Sequence, residues 1–105
     1  MSSNGHRTDA IVEEIITHLR ARAAERPLEG SIKFDFGVRR LVIDGTSGKN
    51  ILSEDDRETS CTIQISPEDM YALLKGELNP MSAFMAGKIR VKGDMSTAMK
   101  LQSFL

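Results

Sequence analysis

Residues 76–104, GELNPMSAFMAGKIRVKGDMSTAMKLQSF, contain the start and stop signals that decide the fold. Asn79 and the proline after it mark a helix N-terminus, because the asparagine side chain can accept from first-turn amides and proline fits the first helical position. Gly87 ends that helix. KIRVK at 88–92 then alternates cationic and apolar residues, as expected of a strand with one wet face, such as a strand at a sheet edge. Asp94 caps a last helix. The stretch predicts helix, strand and helix in succession.

The segments upstream supply the other elements of the predicted domain. An amphipathic helix starts at Thr8 and ends near Arg26. Four segments have the alternation or short apolar runs of strands, and the first two read as a hairpin: 32–36, 41–43, 49–52 and 59–65. Ser66 caps a further short helix, which ends at Gly76. The order predicts an α+β domain with helices covering one face of a mainly antiparallel sheet.

Length and composition limit the possible classes of protein. The chain has 105 residues, of which 40% are hydrophobic, so we expect a single domain spanning residues 1–105, with residues 1–7 flexible. The net charge of -1 provides no global field that would draw the protein onto nucleic acid or an anionic membrane. Cys61 is the single cysteine, and no signal peptide or membrane-spanning run is recognisable, which indicates a cytoplasmic protein.

The sequence offers little for catalysis or metal binding. His18 lies at the edge of the first helix's apolar face and is expected to be a surface residue. Cys61 alternates with isoleucines, which favours a buried thiol over a reactive one. One cysteine and two separated histidines do not form a metal-ligand set. No GxSxG motif is present, and GTSGKN at 45–50 has the wrong spacing for a phosphate loop. We therefore expect neither an enzyme nor a cofactor.

Five methionines lie in the three helices at the C-terminal end and none lies in the strands: Met70, Met81, Met85, Met95 and Met99. Methionine either fills irregular gaps in a core or provides an adaptable apolar surface for ligands. Gln102 lies seven residues after Met95 and so places an amide on the apolar face of the last helix. That amide either pairs with the polar head of a ligand or lies in a frayed helix end exposed to water.

Residues 76–104 closely resemble the signature of the sterol carrier protein-2 family. In that signature Gly-x-Leu-Asn-Pro leads to Ala-Phe-x-x-Gly-Lys, a short strand, and Gly-Asp/Asn-Met-x-x-Ala-Met-Lys-Leu. CTIQISPEDMYALL at 61–74 resembles the preceding strand and helix, and KFDFGVRRLVIDG at 33–45 resembles the first hairpin more loosely. The resemblance implies a five-stranded, mostly antiparallel sheet covered by helices. It also implies an enclosed apolar cavity that takes sterols, fatty acids or fatty acyl-CoA esters.

Two features differ from the family pattern. Many members have tryptophan in the second strand where this chain has Leu41 or Val42, so one wall of the cavity is expected to differ in shape. Some members end in a peroxisomal tripeptide, whereas here Phe104 stands in place of its basic residue, and peroxisomal import is not expected.

The resulting prediction is a non-enzymatic lipid-binding and transfer protein. It is expected to use no cofactor and to bind no nucleic acid. Lys88, Arg90, Lys92 and Lys100 make the last third locally positive, which either reflects an ordinary solvated strand face or would suit transient contact with a membrane surface. The alternative is an interaction or dimerisation module that docks to a lipid-metabolising enzyme, and the oligomeric state stays open. Nine residues are the predicted ligand contacts: Phe34, Met70, Leu74, Met81, Phe84, Met85, Met95, Met99 and Gln102.

Overall fold

The computed structural model describes the backbone of residues 3–104 and the side chains of residues 9–101. It contains four helices and five strands in the described part of the chain. In order they are α1 (Ser3–Glu25), β1 (Ser31–Asp35), β2 (Arg40–Asp44), β3 (Ile51–Ser53), β4 (Cys61–Gln64), α2 (Pro67–Leu74), α3 (Pro80–Met85), β5 (Arg90–Gly93) and α4 (Met95–Phe104).

The five strands form one sheet in the order β3-β2-β1-β4-β5. Three of the four strand pairs are antiparallel, which confirms the prediction of a mainly antiparallel sheet, and β5 lies at an edge as expected. The fourth pair, β1 with β4, is parallel, and it aligns Phe34 with Ile63. This pairing requires the chain to cross from the β3 edge to the other side of β1, because parallel neighbours cannot be joined by a tight turn.

The crossing segment, residues 54–60, is held to the sheet by ion pairs. Lys33 on β1 contacts Asp56 at 2.7 Å, and Arg57 contacts Asp44 on β2 at 3.1 Å. Arg39 contacts Glu54 at 2.8 Å. Residues 54–58 of this segment are exposed. Solvent screens exposed ion pairs, so the main effect of these contacts is to orient the loop.

The core lies between the sheet and the helices. Apolar residues of α1, including Ile15 and Leu19, are fully buried together with Ile32 and Ile43 of the sheet. Cys61 is buried in the same cluster, as predicted. Helix α1 starts at Ser3, five residues before the start that the apolar pattern predicted. The flexibility expected of residues 1–7 stays a prediction.

The predicted helix ends are confirmed. The Ser66 hydroxyl accepts a hydrogen bond from the Asp69 amide at 3.1 Å, and the Asn79 side chain accepts from the amides of the first turn of α3. Gly76 and Gly87 have φ angles of 76° and 77°, in the left-handed region that closes a helix. These local signals keep α2 and α3 short, so the chain folds back twice before β5.

Candidate functional site

An apolar pocket of about 270 Å³ lies where the β4 and β5 end of the sheet meets α2, α3 and α4. The eleven residues that line it are all apolar: Ile63, Leu73, Pro80, Met81, Phe84, Ile89, Val91, Met95, Ala98, Met99 and Leu101. Such a wall has no side-chain donor or acceptor that could orient a polar substrate, so it selects for apolar molecules.

Strand pairing and helix placement together build this wall. Ile63 on β4 pairs with Val91 on β5, and Ile89 precedes β5 on the same side because alternate residues share a face. In the six-residue helix α3, Ala83 is buried against the body of the protein, which leaves Met81 and Phe84 beside the pocket. Helix α4 forms the remaining wall.

Polar contacts cap the start of helix α4 and join its far end to the rest of the domain. The Thr97 hydroxyl donates to the Asp94 carboxylate at 2.6 Å, and the Ser96 amide donates to the same carboxylate at 3.3 Å. Thr97 is buried beside Gly30, where an added Cβ would lie 3.2 Å from its methyl group. The Lys100 ammonium donates to the Glu29 carbonyl oxygen at 3.0 Å. These contacts fix the face of α4 that borders the pocket.

The Asp94 cap predicts a specific acid sensitivity. Hydrogen bonds from Thr97 and Ser96 hold the pKa of the Asp94 carboxyl below its usual range. A lowered folded-state pKa adds stability above the carboxyl's ordinary pKa, and that stability is lost as the pH falls through the lower folded value. Asp94→Asn keeps a capping side chain but cannot titrate. We expect its urea midpoint to fall less than that of the wild type between neutral pH and about pH 3.

Asp44 and Asp56 also have lowered pKa values, but both residues are present in the wild type and in Asp94→Asn. The two proteins therefore differ in the acid-induced fall of the urea midpoint only through Asp94. Equal losses of stability in the two proteins would contradict the role assigned to the cap.

The pocket is open on one side, because several wall residues are exposed. Met81 is 61% exposed, Phe84 46%, Met95 50% and Met99 69%. Clusters of solvent-exposed apolar side chains are typical of binding sites for a ligand, a membrane or a partner protein.

The nine predicted contact residues fall into different environments. Met81, Phe84, Met95 and Met99 line the pocket. Phe34 and Met70 are buried in the core, and Leu74 is partly buried against it. Met85 is 80% exposed and lies outside the wall, because Ala83 rather than Met85 faces inward on α3. Gln102 lies among the residues whose side chains are not described.

Seven of the eleven wall residues are not among the predicted ligand contacts. Ile89 and Val91 alternate with Lys88 and Arg90 in KIRVK, and Ala98 and Leu101 lie on the same helix as Met95 and Met99. Ile63 lies in the alternating segment 59–65, Leu73 in the helix that Ser66 caps, and Pro80 at the start of the next helix. The patterns thus located the buried faces but carried no signal for which of these residues border a cavity.

Other reactive groups lie outside the pocket wall. His18 is exposed, as predicted. Burial, and to a lesser extent the charge of Asp94, raises the pKa of the Cys61 thiol, which disfavours the reactive thiolate. In the described part of the chain, acidic, histidine and cysteine side chains do not come together in a group of three that could hold a metal ion. Within the same part, every helix is too short or too polar to cross a bilayer.

Comparisons with known proteins agree with this architecture. The model of the SCP-2 sterol transfer family matches residues 12–105. Sterol carrier protein 2 of Rattus norvegicus is 44% identical over 63 residues, which are 59% of this chain and 12% of the relative. The chain therefore spans a small fraction of the length of that curated relative.

Two solved structures from Aedes aegypti share the fold. Sterol carrier protein 2 like 2 is 23% identical, with a TM-score of 0.75 over 92% of this chain and 98% of the other. Sterol carrier protein 2, solved in complex with the fatty acid palmitate, is 26% identical, with a TM-score of 0.63 over 92% of each chain. With the family model matching nearly the whole sequence, the chain belongs to the SCP-2 sterol transfer family.

Proposed function

We propose that this protein is a non-enzymatic lipid carrier that holds a sterol, a fatty acid or a fatty acyl-CoA in the pocket between β5, α3 and α4. The observation that carries the proposal is the wall itself, in which all eleven lining residues are apolar. The palmitate complex of a family member with the same fold supports a fatty acid as one ligand.

The energetics of an apolar pocket are sufficient for binding. Each methylene removed from water contributes about 0.8 kcal/mol, so ten buried methylenes contribute about 8 kcal/mol before the costs of association and ordering. The volume of about 270 Å³ lies just below the range of roughly 300–1,000 Å³ for ligand pockets. A long chain would therefore continue along the open side, where flexible methionines can repack around it.

The composition of the wall also supports carriage rather than catalysis. A nucleophile or a general base must lie within hydrogen-bond reach of the reacting atoms, and no side chain of the wall can play either role. Broad selectivity should follow, because an apolar pocket discriminates weakly between ligands that differ by one methylene. The single cysteine suits a reducing compartment, and we propose the cytoplasm.

Native mass spectrometry of the gently purified protein, followed by identification of the released lipid, tests this function. We expect a bound lipid in nearly one-to-one ratio, or stoichiometric uptake when palmitate is added to the emptied protein. The proposal would be overturned if the protein showed only the mass of the lipid-free chain and this mass did not change when palmitate or sterol was added. If a species with the mass of two chains also appeared as the protein concentration rose, the alternative of a dimerisation or docking module would be favoured.

A further inference from the structure

We infer that three methionines of the pocket wall, Met81, Met95 and Met99, form a reversible oxidation site that controls how tightly the pocket holds its lipid. The inference rests on the proposed carrier function and adds a chemical control to it. These three are the sulfur-containing side chains among the eleven that line the pocket. A peroxide converts a methionine thioether into a sulfoxide, which changes an apolar side chain into a polar one.

Exposure decides which methionines a peroxide in solution can reach. Met81 is 61% exposed, Met95 50% and Met99 69%, so all three are open to attack. Met70 is 1% exposed in the core and is shielded. Met85 is 80% exposed but lies outside the wall. The chain therefore contains two internal references, one methionine that peroxide should not reach and one that it should reach without affecting the pocket.

Hydrogen peroxide alone balances the oxidation step. The thioether sulfur attacks one peroxide oxygen, the O–O bond breaks and a sulfur–oxygen bond forms. The sulfur is oxidised, the peroxide is reduced, and the proton of the transferred oxygen passes to the departing hydroxide, which leaves as water. Methionine sulfoxide reductases reverse the change at the expense of thiols, which become a disulfide as the oxygen leaves as water.

The Cys61 thiol does not compete for the peroxide. It is fully buried, and its raised pKa disfavours the thiolate, which is the form that peroxides oxidise. Oxidation under mild conditions is therefore directed to the exposed methionines.

A sulfoxide oxygen would have no partner within this wall. It is a hydrogen-bond acceptor, whereas all eleven lining residues are apolar. A polar group that faces an acyl chain loses its hydrogen bonds to water without replacement, which is unfavourable. The oxidised side chains must therefore turn toward solvent, and the wall loses apolar contact with the lipid. The affinity for lipid falls as a result.

A bound lipid should in turn protect the wall from oxidation. An acyl chain in the pocket covers the inner side of Met81, Met95 and Met99, which slows their reaction with peroxide. Met85 lies outside the wall and stays uncovered. The rate of oxidation at each site therefore reports whether the pocket is occupied.

The test treats the emptied full chain with dilute hydrogen peroxide, maps the sulfoxides by peptide mass spectrometry and titrates the product with palmitate. We expect sulfoxide at Met81, Met85, Met95 and Met99 but not at Met70. Palmitate affinity should fall about tenfold or more, and the two reductases, one for each sulfoxide epimer, should restore it. Palmitate loaded before the peroxide should slow oxidation of the three wall methionines severalfold and leave the rate at Met85 unchanged.

Two variants assign the loss of affinity to the wall. A protein with Met81→Leu, Met95→Leu and Met99→Leu should have the same palmitate affinity before and after peroxide, whatever its starting value. Leucine keeps the wall apolar and has no sulfur to oxidise. Met85→Leu should lose affinity on oxidation as the wild type does. Urea unfolding of the oxidised wild type checks that it stays folded.

The inference is overturned if oxidation of the three wall methionines leaves palmitate affinity unchanged, if the reductases do not restore it, or if the triple variant loses affinity like the wild type. It is also overturned if Met85→Leu alone removes the effect, or if the oxidised wild type is unfolded. Palmitate uptake measured before any peroxide keeps the two proposals distinguishable. Failure of the untreated protein to take up palmitate or sterol would contradict the carrier function, whereas normal uptake that survives oxidation contradicts this inference alone.

Discussion

Replacing Ala98 with tryptophan is expected to weaken palmitate binding roughly 100-fold while the protein stays folded. Ala98 lies on α4, is partly buried and lines the pocket, so an indole at this position would occupy the space of the acyl chain. If it displaces about four methylenes at about 0.8 kcal/mol each, the loss is about 3 kcal/mol, or roughly 100-fold in Kd. Titration of the emptied protein with palmitate, followed by native mass spectrometry, measures the effect.

The control for Ala98→Trp is Ala21→Trp. Ala21 is exposed on α1, so its variant carries the same added ring on a helix without approaching the pocket. We expect it to bind palmitate like the wild type. Urea unfolding of both variants checks that neither has lost the fold. Undiminished uptake by a folded Ala98→Trp protein would place the lipid elsewhere.

Replacing Gly93 with alanine is expected to destabilise the protein by about 3 kcal/mol or more, because backbone strain and a steric clash act together. Gly93 ends β5 with a φ angle of 99°. An added Cβ would lie 2.5 Å from the Ser60 carbonyl oxygen and 3.3 Å from the Cys61 Cα atom. These are backbone atoms of the neighbouring chain segment, so relief requires β5 to move away from β4. The shift in the urea unfolding midpoint gives the loss of stability.

Gly48 supplies the matched control for this substitution. Its φ angle is 95°, close to that of Gly93, but an added Cβ at Gly48 would have no neighbouring atom within 4 Å. Gly48→Ala therefore carries the conformational strain alone, which costs about 1–3 kcal/mol. The additional loss in Gly93→Ala measures the clash with β4. Equal losses in the two variants would show that the packing of β5 on β4 tolerates a methyl group.

Local signals explain why so much of the fold was predictable. The caps at Ser66 and Asn79 and the left-handed glycines at 76 and 87 act through hydrogen bonds and backbone angles within a few residues. Alternation in KIRVK likewise depends only on strand geometry, and it correctly placed Ile89 and Val91 on the inner side. Element order and the mainly antiparallel sheet followed from such signals.

Contacts between distant segments were not predictable in the same way. The parallel pairing of β1 with β4 depends on a loop that crosses the sheet, and that loop is held by pairs such as Lys33 with Asp56. The side of each helix that meets a cavity is also decided by packing. Met70 and Met99 are both apolar helix residues, yet one is buried in the core and the other borders the pocket.

By itself, the sequence determined the order of the helices and strands, the capped ends of α2 and α3, which faces are apolar, and the resemblance to one family. The tertiary structure alone decided which apolar residues surround empty space. Met85 illustrates the reason, because the burial of Ala83 turns α3 so that Met81 and Phe84 line the pocket while Met85 faces outward. Core, cavity wall and exposed surface can all be built from the same apolar side chains. Only the positions of distant neighbours distinguish them.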